Sequence, residues 1–235
     1  MNNTNHFYDN LWNSRTKKDT DNLLLTFRKE AIDYSYSIIG NLKGKKILEI
    51  GCGSGAQTLD FCKKGANVFA IDFSSKSVEM VKKRCKEYKI DTSLMKTEKL
   101  DFDSEQFDSV YLNSVLMYVN KEEVLKEIKR ILKPGGKYVI VEPLKFWLFS
   151  FPYRFVSPYR KTNPKYISLR DVESSNMSHE EFYLFSTLFL GLFYMFRKKK
   201  WVYRLFRFMV RLDSVFIKLP LIRNFAWITV ASYTK

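Results

Sequence analysis

Three glycines spaced two apart, Gly51, Gly53 and Gly55, follow directly on the apolar run Ile47-Leu48-Glu49-Ile50. Glycine tolerates positive φ and lets a ligand lie close against backbone N–H groups. A buried strand that breaks into such a turn and then a helix is the usual way an α/β sheet builds a nucleotide site. Asp72 closes the next apolar run, Val68-Phe69-Ala70-Ile71. A carboxylate there can accept hydrogen bonds from the 2′ and 3′ hydroxyls of a ribose. The glycine spacing differs by one residue from the dinucleotide fingerprint. The residue three after Gly53 is Ala56, which that fingerprint tolerates, so a dehydrogenase is disfavoured and not excluded.

The elements that must position these residues alternate along the chain. Residues 1–44 read as mainly helical, with Leu24, Phe27, Ile32, Tyr36 and Ile39 near helical spacing and Gly40 and Gly44 as stops. After the first strand come a helix over Ala56–Lys64 and a second strand over Asn67–Ile71. Ser74 or Ser75 caps a helix to about Tyr88, with Val78, Val81 and Cys85 inward. A short third strand lies near Ser93–Lys96 and a fourth over Gln106–Asn113. Lys121–Leu132 is an amphipathic helix stopped by Pro134-Gly135-Gly136, and Lys137–Val141 is the fifth strand. Farther on, Ser178-His179-Glu180-Glu181 reads as a capped helix start, with that helix ending near Gly191 and Leu192–Phe196 forming strand six. Trp201–Leu219 is a further helix, and the stretch from Phe225 to Tyr233 is strand seven.

Ile47-Leu48-Glu49-Ile50-Gly51-Cys52-Gly53-Ser54-Gly55 resembles the first motif of the class I S-adenosylmethionine-dependent methyltransferases (the type 11-like group). Val68-Phe69-Ala70-Ile71-Asp72-Phe73-Ser74 resembles their second strand with its acidic end. Leu132-Lys133-Pro134-Gly135-Gly136-Lys137-Tyr138-Val139-Ile140-Val141-Glu142 resembles their loop and fifth strand. The likeness covers roughly Lys45 to Glu142. It implies a Rossmann-like α/β fold: about seven mostly parallel strands, helices on both faces, an N-terminal helical cap and a basic, aromatic C-terminal helical insertion. One domain of residues 1–235 is expected, divided into a cap (1–44), a cofactor-binding core (45–142) and a substrate-side elaboration that completes the sheet (143–235).

The resemblance also assigns roles. Gly51, Cys52, Gly53 and Gly55 would bring backbone to S-adenosylmethionine, Glu49 would orient their loop, and Asp72 would hold the ribose. Phe73, Thr97 and Glu98 would edge the adenine, Asn113 would touch the methionine moiety or the substrate, and Tyr8 would act as a lid. The chain departs from the family pattern at Lys96, where Asp is common, at Asp101, where Pro is common, and at Tyr118, where a His often stands. The electrophilic methyl sits on a sulfonium, so the enzyme mainly aligns donor and acceptor and excludes water. A base is needed only for a weakly acidic acceptor. The catalytic group stays unassigned, with His6 and Tyr118 as the candidates; His179 reads as the first helical residue after a cap.

Composition narrows the class. A chain of 235 residues with 46% apolar content suits one α/β domain. Cys52, Cys62 and Cys85 lack metal-ligand spacing, so no metal is expected, and they suit reduced thiols in a cytoplasmic protein. The polar start shows no signal-peptide pattern. Of the net charge of +15, most falls after Glu142, where 16 Lys/Arg face 5 Asp/Glu. Such a surplus points to an anionic partner.

The region beyond Glu142 is also apolar. Phe182–Phe196 is nearly uninterrupted and is followed by Arg197-Lys198-Lys199-Lys200, but fifteen residues fall short of the roughly 20 that span a bilayer. In Trp201–Leu219, Arg204, Arg207, Arg211 and Lys218 share one face, and Leu205, Phe206, Phe208, Met209, Leu212 and Phe216 fill much of the rest. That pattern fits a helix lying in a membrane interface and equally a helix covering the sheet with a solvated basic edge.

These features lead to the expectation of methyl transfer to a small amphiphilic or lipid-linked acceptor, with the protein peripheral on the inner face of a membrane. The alternatives are a soluble small-molecule methyltransferase with an apolar pocket, and a cofactor-binding scaffold without activity. An RNA methyltransferase ranks lower because no RNA-binding module or Asn/Asp-Pro-Pro-Tyr tetrapeptide is present. The acceptor and the oligomeric state are not legible.

Overall fold

A computed structural model describes residues 7, 9–10, 28–97, 99–146, 162–184, 186–187 and 200–235. In chain order its elements are α1 (Lys29–Ile39), β1 (Lys46–Ile50), α2 (Ala56–Lys63), β2 (Asn67–Asp72), α3 (Ser75–Arg84), β3 (Ile90–Leu94), β4 (Phe107–Asn113), α4 (Lys121–Ile131), β5 (Leu132–Pro143), α5 (Leu169–Ser174), β6 (Ser178–Phe182), α6 (Lys200–Phe216) and β7 (Ile228–Thr234). The seven strands form one sheet in the order β3-β2-β1-β4-β5-β7-β6. Strands β1 to β5 pair in parallel, while β7 runs antiparallel to both β5 and β6. This is the expected mostly parallel, seven-stranded Rossmann-like sheet.

The two-residue period of the strands sorts the core into two layers. Leu48, Ile50, Val110, Leu112, Tyr138 and Ile140 pack with Val124, Ile128 and Ile131 of α4 and with Leu169 and Val172 of α5. On the opposite face, Ile47, Tyr111, Val139 and Val141 meet Ala31 and Ile39 of α1, Phe61 and Cys62 of α2, and Val202 and Phe206 of α6. Both faces are therefore covered, as buried parallel strands require. Strand order reverses between β1 and β4, and in open α/β sheets that crevice, at the carboxyl ends of the strands, is where ligands bind.

Several sequence-level boundaries are corrected. Strand three is Ile90–Leu94 because Ile90 pairs with Val68, so it starts before Ser93. Helix α3 ends at Arg84, with Cys85 as its C-cap and no continuation to Tyr88. Strand β5 starts at Leu132, paired with Phe107, and the Lys133–Gly136 stretch is a register shift inside the strand.

The largest correction concerns residues 178–182. They form β6, paired along its whole length with β7, so Ser178 caps no helix and His179 lies in a strand. In that setting His179 and Glu181 share one face of the strand, where His179 Nδ1 lies 2.7 Å from Glu181 Oε1. Glu181 is buried and also accepts from Thr229 Oγ1 of β7. The helix cap of this region is Ser168 instead: its side chain and that of Asp171 form a reciprocal capping box on α5. The expected strand at Leu192–Phe196 falls outside the described residues, as do Asp21 to Phe27 of the N-terminal cap.

Candidate functional site

The chain leaves β1 through a turn that α3 and the β4 exit press from both sides. Gly51 has φ +75°, and a Cβ placed on it would lie 2.4 Å from Val115 Cγ2. Gly55, also at φ +75°, is the N-cap of α2, and its Cβ would meet Val81 Cγ2 at 3.0 Å and Val81 Cα at 3.2 Å. Both positions combine a left-handed backbone with a close neighbour, so any side chain there is strained. The N–H groups of Gly51 and Cys52 donate to the Ile71 carbonyl at 2.8 and 3.1 Å, which fastens the turn to the end of β2.

Asp72 tightens that junction. Its Oδ2 accepts the Gly53 N–H and its Oδ1 the Ser74 N–H, each at 2.9 Å. Ser74 Oγ caps α3 by accepting the Ser77 N–H and donates to Asp9 Oδ1 at 2.5 Å. Burial pushes the Asp72 carboxyl above its ordinary value, against the pull of the Ser74 and Gly53 N–H donors. The role expected of Glu49 thus falls partly to Asp72, which is the carboxylate bonded to the glycine turn. Glu49 is held by Thr58 Oγ1 of α2 at 2.5 Å and is fully buried, which raises it to about 8. It joins α2 to β1.

Cys52 is buried, and burial, with Asp72 and Glu49 nearby, pushes its thiol well up, so it is no thiolate nucleophile. Phe73 is half-buried and Thr97 buried, on the segments that follow β2 and β3. Glu98, Tyr8 and His6 lie outside the described residues. Asp9, beside Tyr8 in sequence, does reach the end of β2 through Ser74. Among the described residues no group of His, Cys, Asp and Glu could hold a metal ion.

A second cluster forms where β4 and β5 end. Asn113 Oδ1 accepts from Arg28 Nη2 at 2.8 Å, and Ser114 Oγ accepts from Arg28 Nη1 at 3.2 Å. Ser114 holds a left-handed φ of 61° with its N–H on the Val141 carbonyl. Glu142, fully buried at the end of β5, accepts the N–H groups of Val115 and Leu116 on Oε1 at 2.7 and 2.9 Å. Its Oε2 has no hydrogen-bond partner among the described residues. Burial raises this carboxyl to about 7, while the two N–H donors and the Arg28 charge draw it down. Tyr118 ends the 3-10 turn Leu116–Tyr118, one turn beyond the N–H groups that Glu142 holds.

The structure therefore brings Gly51, Cys52, Gly53, Gly55, Asp72, Phe73 and Asn113 to one edge of the sheet, the carboxyl ends of β1, β2 and β4. Arg28, Ser114, Val115 and Glu142 were missed. For Glu142 a signal existed, since it stands at the carboxyl end of a strand. For Arg28 there was none, because its partners lie 85 and 86 residues away.

The donor set fits S-adenosylmethionine. A glycine-rich turn leads into α2, which has no side-chain cap, and a carboxylate ends β2. This pairs backbone N–H groups with an acceptor for vicinal hydroxyls.

Comparisons with known proteins agree. Residues 48–140 match the family model described as a methyltransferase domain. A demethylmenaquinone methyltransferase of Tropheryma whipplei (strain Twist) is 32% identical over 152 residues, 63% of this chain and 61% of that protein. A ubiquinone biosynthesis O-methyltransferase of Alkalilimnicola ehrlichii is 29% identical over 127 residues, 51% of each. The chain thus spans less than two thirds of the length of these relatives. A geranyl diphosphate methyltransferase structure superposes on 88% of this chain and 77% of its own with a TM-score of 0.62 at 16% identity, a likeness of fold. Residues 48–140 thus resemble a methyltransferase domain in sequence, and the sheet shares the fold of the geranyl diphosphate methyltransferase.

Proposed function

We propose that the chain transfers the methyl group of S-adenosylmethionine to a small amphiphilic or lipid-linked acceptor. The observation that carries this reading is the Asp72–Gly53 bond at the reversal point of a methyltransferase sheet, within the matched domain. The acceptor class has two supports: the curated relatives named above are a demethylmenaquinone methyltransferase and an O-methyltransferase of ubiquinone biosynthesis, and the region after Glu142 is basic and rich in aromatics.

The bound group supplies an electrophilic methyl on a sulfonium, and the chain's own residues do the rest. Gly51, Cys52, Gly53 and Gly55 present backbone to the cofactor, and Asp72 both sets the turn and takes the ribose hydroxyls. Phe73, Thr97 and Glu98 border the adenine, with Tyr8 as a cover. Asn113, held by Arg28, borders the methionine moiety or the acceptor. Residues 1–235 act as one domain, in which 143–235 shape the acceptor side. The protein works on the cytoplasmic side, peripheral to a membrane through residues 201–219. Among the described residues no helix is long and apolar enough to cross one.

Isothermal titration with S-adenosylhomocysteine tests this directly. Micromolar binding by the wild type, lost in Asp72→Ala, is expected. A folded wild type that does not bind overturns the reading in favour of a scaffold or a dehydrogenase.

A further inference from the structure

Of twelve large apolar side chains exposed among the described residues, nine lie between Trp201 and Phe225. Along α6 and the turn after it, Leu205, Phe208, Leu212, Val215 and Leu219 recur at steps of three and four, so they share one stripe. Phe208 is 57% and Val215 64% exposed. The stripe that packs inward is Val202, Phe206, Asp213 and Ile217, all buried and turned by about a third of a circle. Exposed Arg204, Arg207, Arg211 and Lys218 form a third stripe, on the other flank of the exposed apolar one.

A surface helix normally turns its apolar stripe to the core and polar residues outward. Here the outward face is apolar and bordered by cations, which marks an interaction surface. The charge selects the occupant. A second copy paired about a two-fold axis would bring the same patch, and its arginines, against themselves. A nucleic acid would engage the arginines but leave Phe208, Leu212 and Val215 in water. An anionic bilayer satisfies both stripes, taking the apolar side chains at the acyl boundary and the guanidinium groups among the phosphates.

The helix is well anchored behind this face. Asp213 accepts the Leu184 and Ser186 N–H groups at 2.9 and 3.2 Å and the Ser186 hydroxyl at 2.5 Å. Tyr183 stacks on Phe206. Its hydroxyl accepts the Ala31 N–H and donates to Glu30, at the end of α1 from which Arg28 reaches Asn113.

We infer that α6 lies in the interface of an anionic bilayer, with Leu205, Phe208, Leu212 and Val215 inserted and Arg204, Arg207 and Arg211 at the headgroups. The inference rests on the membrane-surface reading above and specifies the face that makes the contact.

Flotation with vesicles of phosphatidylglycerol and phosphatidylcholine, against phosphatidylcholine alone, tests it, with every variant also titrated with S-adenosylhomocysteine. The wild type floats with the anionic vesicles only. The triple change Arg204→Gln, Arg207→Gln, Arg211→Gln lowers partition about a hundredfold, at roughly fivefold for each cation near the surface. Phe208→Ser with Leu212→Ser lowers it about tenfold or more. All variants retain cofactor binding.

Wild type that binds the cofactor but no anionic vesicle overturns the inference and leaves the methyltransferase reading standing. Vesicle binding without cofactor binding does the reverse. Loss on arginine removal with indifference to the apolar pair reduces the contact to surface adsorption and overturns insertion. A dimer broken by the apolar pair assigns the face to a second copy instead.

Discussion

Arg28 Nη2 donates to Asn113 Oδ1 at 2.8 Å, joining the start of α1 to the end of β4. The same guanidinium donates to Ser114 and lowers the pKa of the buried Glu142. Hydrogen bonds to a charged group contribute about 1.5–3 kcal/mol. Arg28→Ala is therefore expected to lower stability by about that amount and to push the Glu142 carboxyl higher still. Thermal unfolding checks the first effect, with a Tm fall of roughly 3–10 °C for a chain of this size. An unchanged Tm would show that the contact contributes nothing in solution.

Asp72 accepts an N–H on each of its two oxygens. An amide has one carbonyl oxygen, so Asp72→Asn must turn its NH₂ toward either Gly53 or Ser74 and leave a donor facing a donor. The expected cost is about 1–3 kcal/mol of stability. A weakening of S-adenosylhomocysteine binding by tenfold or more should accompany it, measured by isothermal titration. Binding equal to wild type would separate Asp72 from the cofactor.

The tight fit of Gly51 against Val115 predicts non-additive substitutions. Gly51→Ala should cost about 1–3 kcal/mol by overpacking and a further 1–2 kcal/mol or so for a left-handed alanine. Adding Val115→Ala should recover the steric share and leave the backbone share. A double-mutant cycle in denaturant reads the coupling directly, and simple additivity would contradict the contact.

Two buried carboxyls give stability a definite pH dependence. Burial raises Glu142 from its ordinary 4.5 to about 7 and Glu49 from 4.5 to about 8. Because the folded-state values lie above the unfolded ones, the folded protein holds these protons more tightly. The associated stability is present in full below about 4.5 and is lost as pH rises through 7 and then 8. Glu142→Gln keeps an oxygen for Val115 and Leu116 and removes the titration. It should flatten the decline between pH 5 and 7 and leave the part due to Glu49, with a gain at pH 8 of at most about 3 kcal/mol. Equal slopes for wild type and variant in denaturant titrations across pH 5–8 would refute the assignment.

The apolar run Ile47–Ile50, the spaced glycines and Asp72 were legible in order because each is a local fact: a buried strand needs consecutive apolar residues, and its exit turn needs left-handed backbone. The heptad-like spacing of Val124, Ile128 and Ile131 placed α4 for the same reason. Residues 178–182 were misread because Ser-His-Glu-Glu satisfies the local rules for a helix start, and only the antiparallel partner β7 makes it a strand. The Ser168/Asp171 capping box is a signal readable in the sequence, because both partners lie within three residues.

Sequence by itself determined the nucleotide turn, its closing carboxylate, the alternation of strands and helices, and the excess of cations after Glu142, all properties of neighbours within a few residues. Tertiary structure alone decided that Asp72 bonds the glycine turn, that Arg28 bonds Asn113 and Ser114 at the end of β4, and which stripe of α6 faces outward. Those outcomes depend on distances between residues far apart in the chain. Such distances are set by sheet order and by competition for burial, which local periodicity does not encode.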